Sequence, residues 1–268
     1  MTTKKVEKTV FGTKEWAAYN ENCMSGCSHD CRYCYAKSMA VRFKRRTPDD
    51  WQYEIFDKSK LAKRFKLKEG RFMFPTTHDI TPEHLDACMF FLENILKAGN
   101  EVLIVSKPHI DCIRSLCARF GEYRQQILFR FTIGSADNET LRFWEPHAPG
   151  FEERLEALAH AHKAGYATSV SCEPLLDNNA DDLIRQVRPF VTDAIWLGKA
   201  NGLIGKVKVN GYGDRKTISR AVHLIESLSD GYLTDLYNRH KDDPQVKWKE
   251  SIKKVVGIEV PVKAGLDI

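Results

Sequence analysis

Cys27-Ser28-His29-Asp30-Cys31-Arg32-Tyr33-Cys34 sets three cysteines at a C-x3-C-x2-C spacing. Thiolates are soft ligands that hold iron–sulfur clusters, zinc or copper(I). A cubane [4Fe–4S] cluster has four irons, and Cys27, Cys31 and Cys34 supply three sulfurs. No nearby cysteine follows the run, so one iron would be left open for a small molecule. The rival reading is a zinc knuckle completed by His29 or Cys23. Zinc sites usually pair two short knuckles across a longer gap, and the chain has no second knuckle.

Outward from this run, the chain of 268 residues suits one α/β barrel-like domain or two small ones, and 43% hydrophobic content is enough for a sizeable core. No apolar stretch approaches the length that spans a bilayer, and Met1-Thr2-Thr3-Lys4-Lys5 lacks the apolar core of a signal peptide. A cytoplasmic location without membrane contact is expected. Eight cysteines, three of them clustered, fit metal ligation in a reducing compartment better than a disulfide framework. Cys88, Cys112 and Cys117 read as small buried apolar residues. The net charge of +5 is uneven: residues 1–70 hold 16 Lys and Arg against 9 Asp and Glu. Such a surplus beside the cysteines either attracts a phosphate-bearing substrate or is an ordinary solvated face.

After a polar lead-in over 1–14, residues 15–22 read as a first strand feeding the cysteine loop. Gly26 lets the backbone bend there. A helix over 35–46 follows. Residues 51–69 mix Trp51, Tyr53, Phe56 and Phe65 with six lysines and arginines. That mixture reads as an amphipathic helix or as a base-stacking, phosphate-holding segment. Strands are then expected at 71–74, 101–105, 127–133, 167–171 and 194–198. Helices are expected at 82–98, 109–120, 151–164 and 180–189. Strands alternating with helices imply parallel β/α units, six with the first strand. From about residue 216 the tail reads as two or three helices, with 247–256 basic and amphipathic. No linker, repeat or low-complexity segment divides the chain.

The cysteine spacing, with the aromatic Tyr33 before the last cysteine, resembles the cluster loop of the radical S-adenosylmethionine (SAM) superfamily. The resemblance is closest to its spore photoproduct lyase-like branch. It rests on Gly26-Cys27 through Tyr35-Ala36, on Glu145-Pro146-His147-Ala148-Pro149 and on Glu152-Glu153-Arg154-Leu155-Glu156-Ala157-Leu158, and it covers most of residues 20–205. It implies an α/β fold, a partial (β/α)6 TIM-like barrel with a helical C-terminal extension. The whole of 1–268 would be one domain, with its core at about 15–205 and the extension at about 206–268. It implies a [4Fe–4S] cluster on Cys27, Cys31 and Cys34, and SAM on the open iron. An electron from an external flavodoxin- or ferredoxin-like donor would split SAM. The resulting 5′-deoxyadenosyl radical would take a hydrogen from a substrate, with nucleic acid one candidate.

Chemistry in such barrels gathers at the carboxyl ends of the strands. Tyr33, Thr76, Thr77, Ser106, Lys107, Thr132, Ser135, Arg154, Ser171 and Glu173 are therefore the expected cofactor-binding residues. Lys107 would serve as a point charge and Arg154 as a bidentate partner of the SAM carboxylate. Lys199, Ala200 and Asn201 follow the sixth strand, where substrate contacts are expected. Tyr33 and Tyr35 match tyrosines flanking the last cluster cysteine in the lyase. In one respect the chain departs from that branch. The lyase has a hydrogen-donating cysteine in a Cys-Thr-Ser-Asp context, where this chain has Thr76-Thr77-His78-Asp79. A hydroxyl hydrogen is a poorer donor than a thiol, which argues against photoproduct repair. Tyr35 and Cys172 are the catalytic candidates, Cys172 as a substitute donor. The non-enzymatic alternative is a metal-containing nucleic-acid-binding protein leaning on segment 51–69.

Overall fold

The computed structural model of the chain describes residues 10–265. Part of the expected lead-in lies outside them. The strands are β1 (Tyr19–Asn20), β2 (Met24–Ser25), β3 (Ile55–Phe56), β4 (Phe72–Phe74), β5 (Val102–Ser106), β6 (Ile127–Thr132), β7 (Ala167–Cys172), β8 (Ile195–Leu197) and β9 (Val246–Trp248). The helices are α1 (Tyr35–Arg42), α2 (Lys58–Leu61), α3 (Leu85–Lys97), α4 (Ile110–Arg119), α5 (Asn138–Trp144), α6 (Phe151–Lys163), α7 (Ala180–Val187), α8 (Leu203–Val209), α9 (Arg215–Ser227), α10 (Asp230–His240) and α11 (Glu250–Val256). Seven strands form one parallel sheet in the order β1-β4-β5-β6-β7-β8-β9, and β2 and β3 pair antiparallel beside it. The fold is α/β, an open TIM-like partial barrel.

Strands β4 to β8 are buried on both faces, as a parallel sheet under helices requires. The alternation of side chains then decides the fate of each residue. Phe72, Phe74, Ile104, Phe129, Phe131, Val170, Cys172 and Leu197 turn outward into the core beneath the helices. Met73, Leu103, Leu128 and Trp196 turn inward and pack with Trp16 inside the barrel. Arg130 also points inward. Its guanidinium lies 4.9 Å from the Trp16 ring and 5.3 Å from that of Trp196, and it is bonded to Ser169 Oγ at 2.9 Å and to Asp193 at 2.9 Å. This layer plugs one end of the barrel and leaves the carboxyl ends of the strands open.

Several expected elements are corrected. The first strand shrinks from 15–22 to Tyr19–Asn20, because a 3-10 turn occupies Gly12–Glu15. Helix α1 stops at Arg42, where the following turn places Lys44 at a φ of 55°. Segment 51–69 is not an amphipathic helix. It gives β3 and the single turn α2, and its aromatics are spent individually: Trp51 is buried, and Phe65 sits edge-on to Phe72 and Phe91. Only Tyr53 among the four is left largely exposed, which removes most of the expected base-stacking surface. The last strand is β9 rather than β8. Val246-Lys247-Trp248 lies in the stretch read as helical tail, and it pairs parallel with Ile195-Trp196-Leu197. A three-residue strand with a central lysine carries too short an alternation to be read locally.

Candidate active site

The cysteine loop leaves β2 through Gly26, whose φ is 98°. A Cβ at this position would stand 2.4 Å from the Tyr53 carbonyl oxygen and 2.8 Å from that of Trp51, so no other residue fits. The Cys27 amide then donates to the Trp51 carbonyl at 2.9 Å. Glu54 fastens the other side, accepting from the Ser28 amide at 2.9 Å and from Thr81 Oγ1 at 2.9 Å. Cys34 caps α1, its sulfur accepting from the Lys37 amide at 3.3 Å.

Cys27, Cys31 and Cys34 all line one cavity of about 1390 Å3 at the carboxyl ends of the strands. Tyr33, Tyr35, Thr76, Thr77, Lys107, Thr132, Ser171 and Glu173 line it as well. Thr132 and Ser171 are register partners on β6 and β7, which sets them side by side. Burial foremost, then the Asp79 carboxylate and the neighbouring thiols, push the Cys27 thiol well above its ordinary range. Burial does the same to Cys31 and Cys34. Three crowded thiols, two of them buried and that of Cys34 half-buried, that resist ionisation alone are a donor set that a polycationic metal group would satisfy, with release of their protons.

Four expected site residues do not face the cavity. Cys172 is fully buried on the outer face of β7, one residue out of phase with Ser171, and is not placed to donate hydrogen to a substrate. Arg154 is fully buried. It donates to the carbonyls of Pro149 at 2.8 Å and Thr132 at 3.1 Å and pairs with Glu145, which also accepts from the Tyr33 hydroxyl. Arg154 is therefore a strut for Tyr33 and the end of β6, not a carboxylate receptor. Ser135 donates to Asp177 and accepts from the Asp137 amide at 2.8 Å, organising the start of α5. Ser106 is buried, donating to Asp79 Oδ1 at 3.0 Å and accepting from the Ile80 amide at 3.1 Å.

Asp79 is a centre that the sequence reading missed. Its oxygens accept from the Lys107 amide at 2.7 Å, from Lys107 Nζ at 3.4 Å and from His29 Nδ1 at 2.9 Å. The Cys27 thiol points at it from 3.8 Å. Burial works against its charge, but Lys107 and His29 outweigh it and hold the carboxyl well below its usual range. In turn Asp79 keeps the Lys107 ammonium charged against its own burial. Cys27, His29 and Asp79 lie close enough together to ligate one ion, yet the set excludes Cys31 and Cys34. Both His29 nitrogens are also taken, Nε2 by His109 at 2.8 Å. Cys23, the other proposed fourth ligand, faces Cys88 at 3.9 Å and His78 at 3.8 Å instead. The zinc reading therefore has no fourth ligand in position among the described residues.

Asn22 was missed too. Its Oδ1 accepts from the Thr76 and Thr77 amides at 2.7 and 2.8 Å, and its Nδ2 donates to Thr76 Oγ1 at 2.6 Å. It shapes the shelf after β4, and the Tyr35 hydroxyl binds the Thr76 carbonyl from the other side. The signal was an asparagine just upstream of the cysteine loop, which local reading could not connect to residues 54 positions away.

The pattern of the radical SAM superfamily matches residues 22–187. The chain belongs to the radical SAM superfamily. Members of the superfamily use a [4Fe–4S] cluster and SAM, and these are the chain's cofactors. It is 25% identical over 166 residues to the uncharacterised protein ORF301 of Acidianus two-tailed virus, covering 58% of this chain and 54% of the viral one. The chain thus spans about half the length of that relative. It is 22% identical over 191 residues to the uncharacterised protein MJ0683 of Methanocaldococcus jannaschii, covering 69% and 72% of the two chains. Among solved structures, spore photoproduct lyase complexed with a dinucleoside spore photoproduct superposes with a TM-score of 0.58 at 16% identity, covering 91% of this chain and 79% of that one. SuiB of Streptococcus suis bound to SAM superposes with a TM-score of 0.50 at 10% identity, covering 92% and 52%. These likenesses concern the fold. No helix among the described residues is long and apolar enough to cross a membrane.

Proposed function

We propose that this radical SAM protein is an enzyme whose cluster is held by Cys27, Cys31 and Cys34. The observation that carries this is three thiols, two buried and that of Cys34 half-buried, lining one large cavity with no fourth cysteine among the described residues that line it. Bound there, the cluster and SAM would supply 5′-deoxyadenosyl radical chemistry, the abstraction of a substrate hydrogen.

The chain's own residues position the reactants. The Thr76–Asp79 shelf, fixed by Asn22, receives the polar end of SAM. Thr132, Ser171 and Glu173 offer hydroxyls and a carboxylate across the barrel floor. Lys107, held charged by Asp79, offsets negative charge at the cysteine loop. Tyr35, which lines the cavity, acts on substrate in this reading, and among the described residues the cavity is lined by no thiol besides Cys27, Cys31 and Cys34. The electron comes from an external flavodoxin- or ferredoxin-like donor.

The cavity lining also carries Lys14, Lys199 and Lys206, which favour an anionic, phosphate-bearing substrate. Nucleic acid meets that description, and the lyase likeness is consistent with it. Thr76 and Thr77 in place of a donor thiol point away from photoproduct repair itself. Residues 1–268 are taken to act as one domain.

The test is anaerobic reconstitution with iron and sulfide, reduction, and measurement of 5′-deoxyadenosine from SAM. Wild type is expected to form it and Cys31→Ala to form none. Cleavage persisting in a cluster-free variant would refute the proposal.

A further inference from the structure

The turn between α8 and α9 lies beyond the residues that match the family pattern, yet it is bonded into the cysteine loop. Asn210, at the end of α8, is buried to 1% exposure. Its Nδ2 donates to the carbonyls of both Arg32 and Cys34 at 3.0 Å, and its Oδ1 accepts from Ser38 Oγ at 2.8 Å. Both donors and one acceptor site of that amide are thus spent on the loop and the first turn of α1.

Two residues on, the Tyr212 hydroxyl donates to the Asp30 carboxylate, which also pairs with buried Lys37 at 2.7 Å. The Tyr212 ring carries the Arg32 guanidinium and the Lys37 ammonium, each 4.7 Å from its centroid. Between them, Gly211 has a φ of 89°, and a Cβ there would meet Pro48 at 2.9 Å. Asn210 and Tyr212 do not line the cavity.

We propose that this turn is a clasp for the cluster loop, with Asn210 and Tyr212 as positioning residues that act through Asp30, Arg32 and Cys34. The proposal rests on the assignment of Cys31 and Cys34 as ligands. An amide bridging the carbonyls on either side of Tyr33 fixes the 32–33 and 34–35 peptide planes at once, and with the second the direction of the Cys34 side chain. Without it, the three sulfurs are presented together less often, and a cluster is kept less well. Groups that orient ligands without touching the metal commonly change retention by about 10–100-fold.

The experiment compares Asn210→Ala, Tyr212→Phe and, as a control, exposed Lys208→Ala with the full wild-type chain. In cluster-free protein, amide hydrogen exchange over residues 30–37 should quicken on the order of tenfold in Asn210→Ala and less in Tyr212→Phe. Exchange in β5 and β6 should stay at the wild-type rate. After reconstitution, iron loss to a ferrous chelator should quicken on the order of tenfold in Asn210→Ala, and the electron paramagnetic resonance lines of the reduced cluster should broaden. Lys208→Ala should match wild type throughout.

Wild-type loop exchange and iron loss in both variants would overturn the clasp. So would acceleration spread equally over β5 and β6, which marks general destabilisation. Should Asn210→Ala not fold, Tyr212→Phe decides by the same criteria. Failure of the wild type itself to take up iron would sink the ligand assignment, while loop exchange in the cluster-free protein would still judge the clasp.

Discussion

The two walls of the cavity are built differently. The cysteine wall is over-determined: Glu54, Asp79, Glu145 and Asn210 each fix it through hydrogen bonds from separate parts of the chain, and Gly26 lets its backbone pass close to the Trp51 and Tyr53 carbonyls. The lysine part of the lining, with Lys14, Lys199 and Lys206, comes from the N-terminal turn, the loop after β8 and α8. Its lysines are long, rotatable point charges, and Lys199 is tied only to the largely exposed Asp230 at 3.0 Å. Cofactor chemistry demands fixed geometry, whereas recognition of an anion tolerates movement. The contrast explains why the reaction class is clear and the substrate is not.

Replacing a thiol tests the rigid wall most severely. Cys31→Ser should abolish cluster assembly and 5′-deoxyadenosine formation, read by iron content and visible absorbance. A serine variant that keeps a full cluster would show the wall to be less exacting than drawn. Next is Asp79→Asn, which keeps the shape but removes the charge that pairs with Lys107 and His29. Iron retention and SAM cleavage should fall about 10–100-fold, and wild-type values would reduce Asp79 to packing.

In the lysine lining, Lys206→Ala should leave SAM cleavage without substrate unchanged. It should weaken binding of a short phosphodiester probe several-fold, by roughly 1 kcal/mol. An equal loss of SAM cleavage would place Lys206 on the cofactor side and erase the comparison. The smallest effect concerns pH. Burial first, then His29, hold His109 below its ordinary value of 6.5. The unfolded chain therefore takes up that proton at higher pH than the folded one. Stability should be full above 6.5 and decline as pH falls below it. His109→Gln should make the decline of the urea midpoint shallower, and an unchanged slope would remove His109 as its source.

The β/α alternation was legible because β4, β5, β8 and most of β6 are short apolar runs set off by helical segments. Lys107, Thr132 and Ser171 followed from their places at strand ends. Arg154 and Cys172 were misassigned because facing is a property of the closed barrel. Arg154 meets Glu145, and Cys172 is one residue out of phase with Ser171. Segment 51–69 misled because its aromatic and basic residues each found separate partners, such as Phe65 on Phe91 and Lys63 on Glu21 at 2.5 Å.

The sequence by itself determined the ligand chemistry and the family, because three thiols at fixed spacing within eight residues form a local feature. Only the tertiary structure decided what holds that loop. Asp79, Glu145 and Asn210 lie 45 or more residues from the cysteines they serve, and hydrogen bonds across such distances leave no periodic trace along a chain.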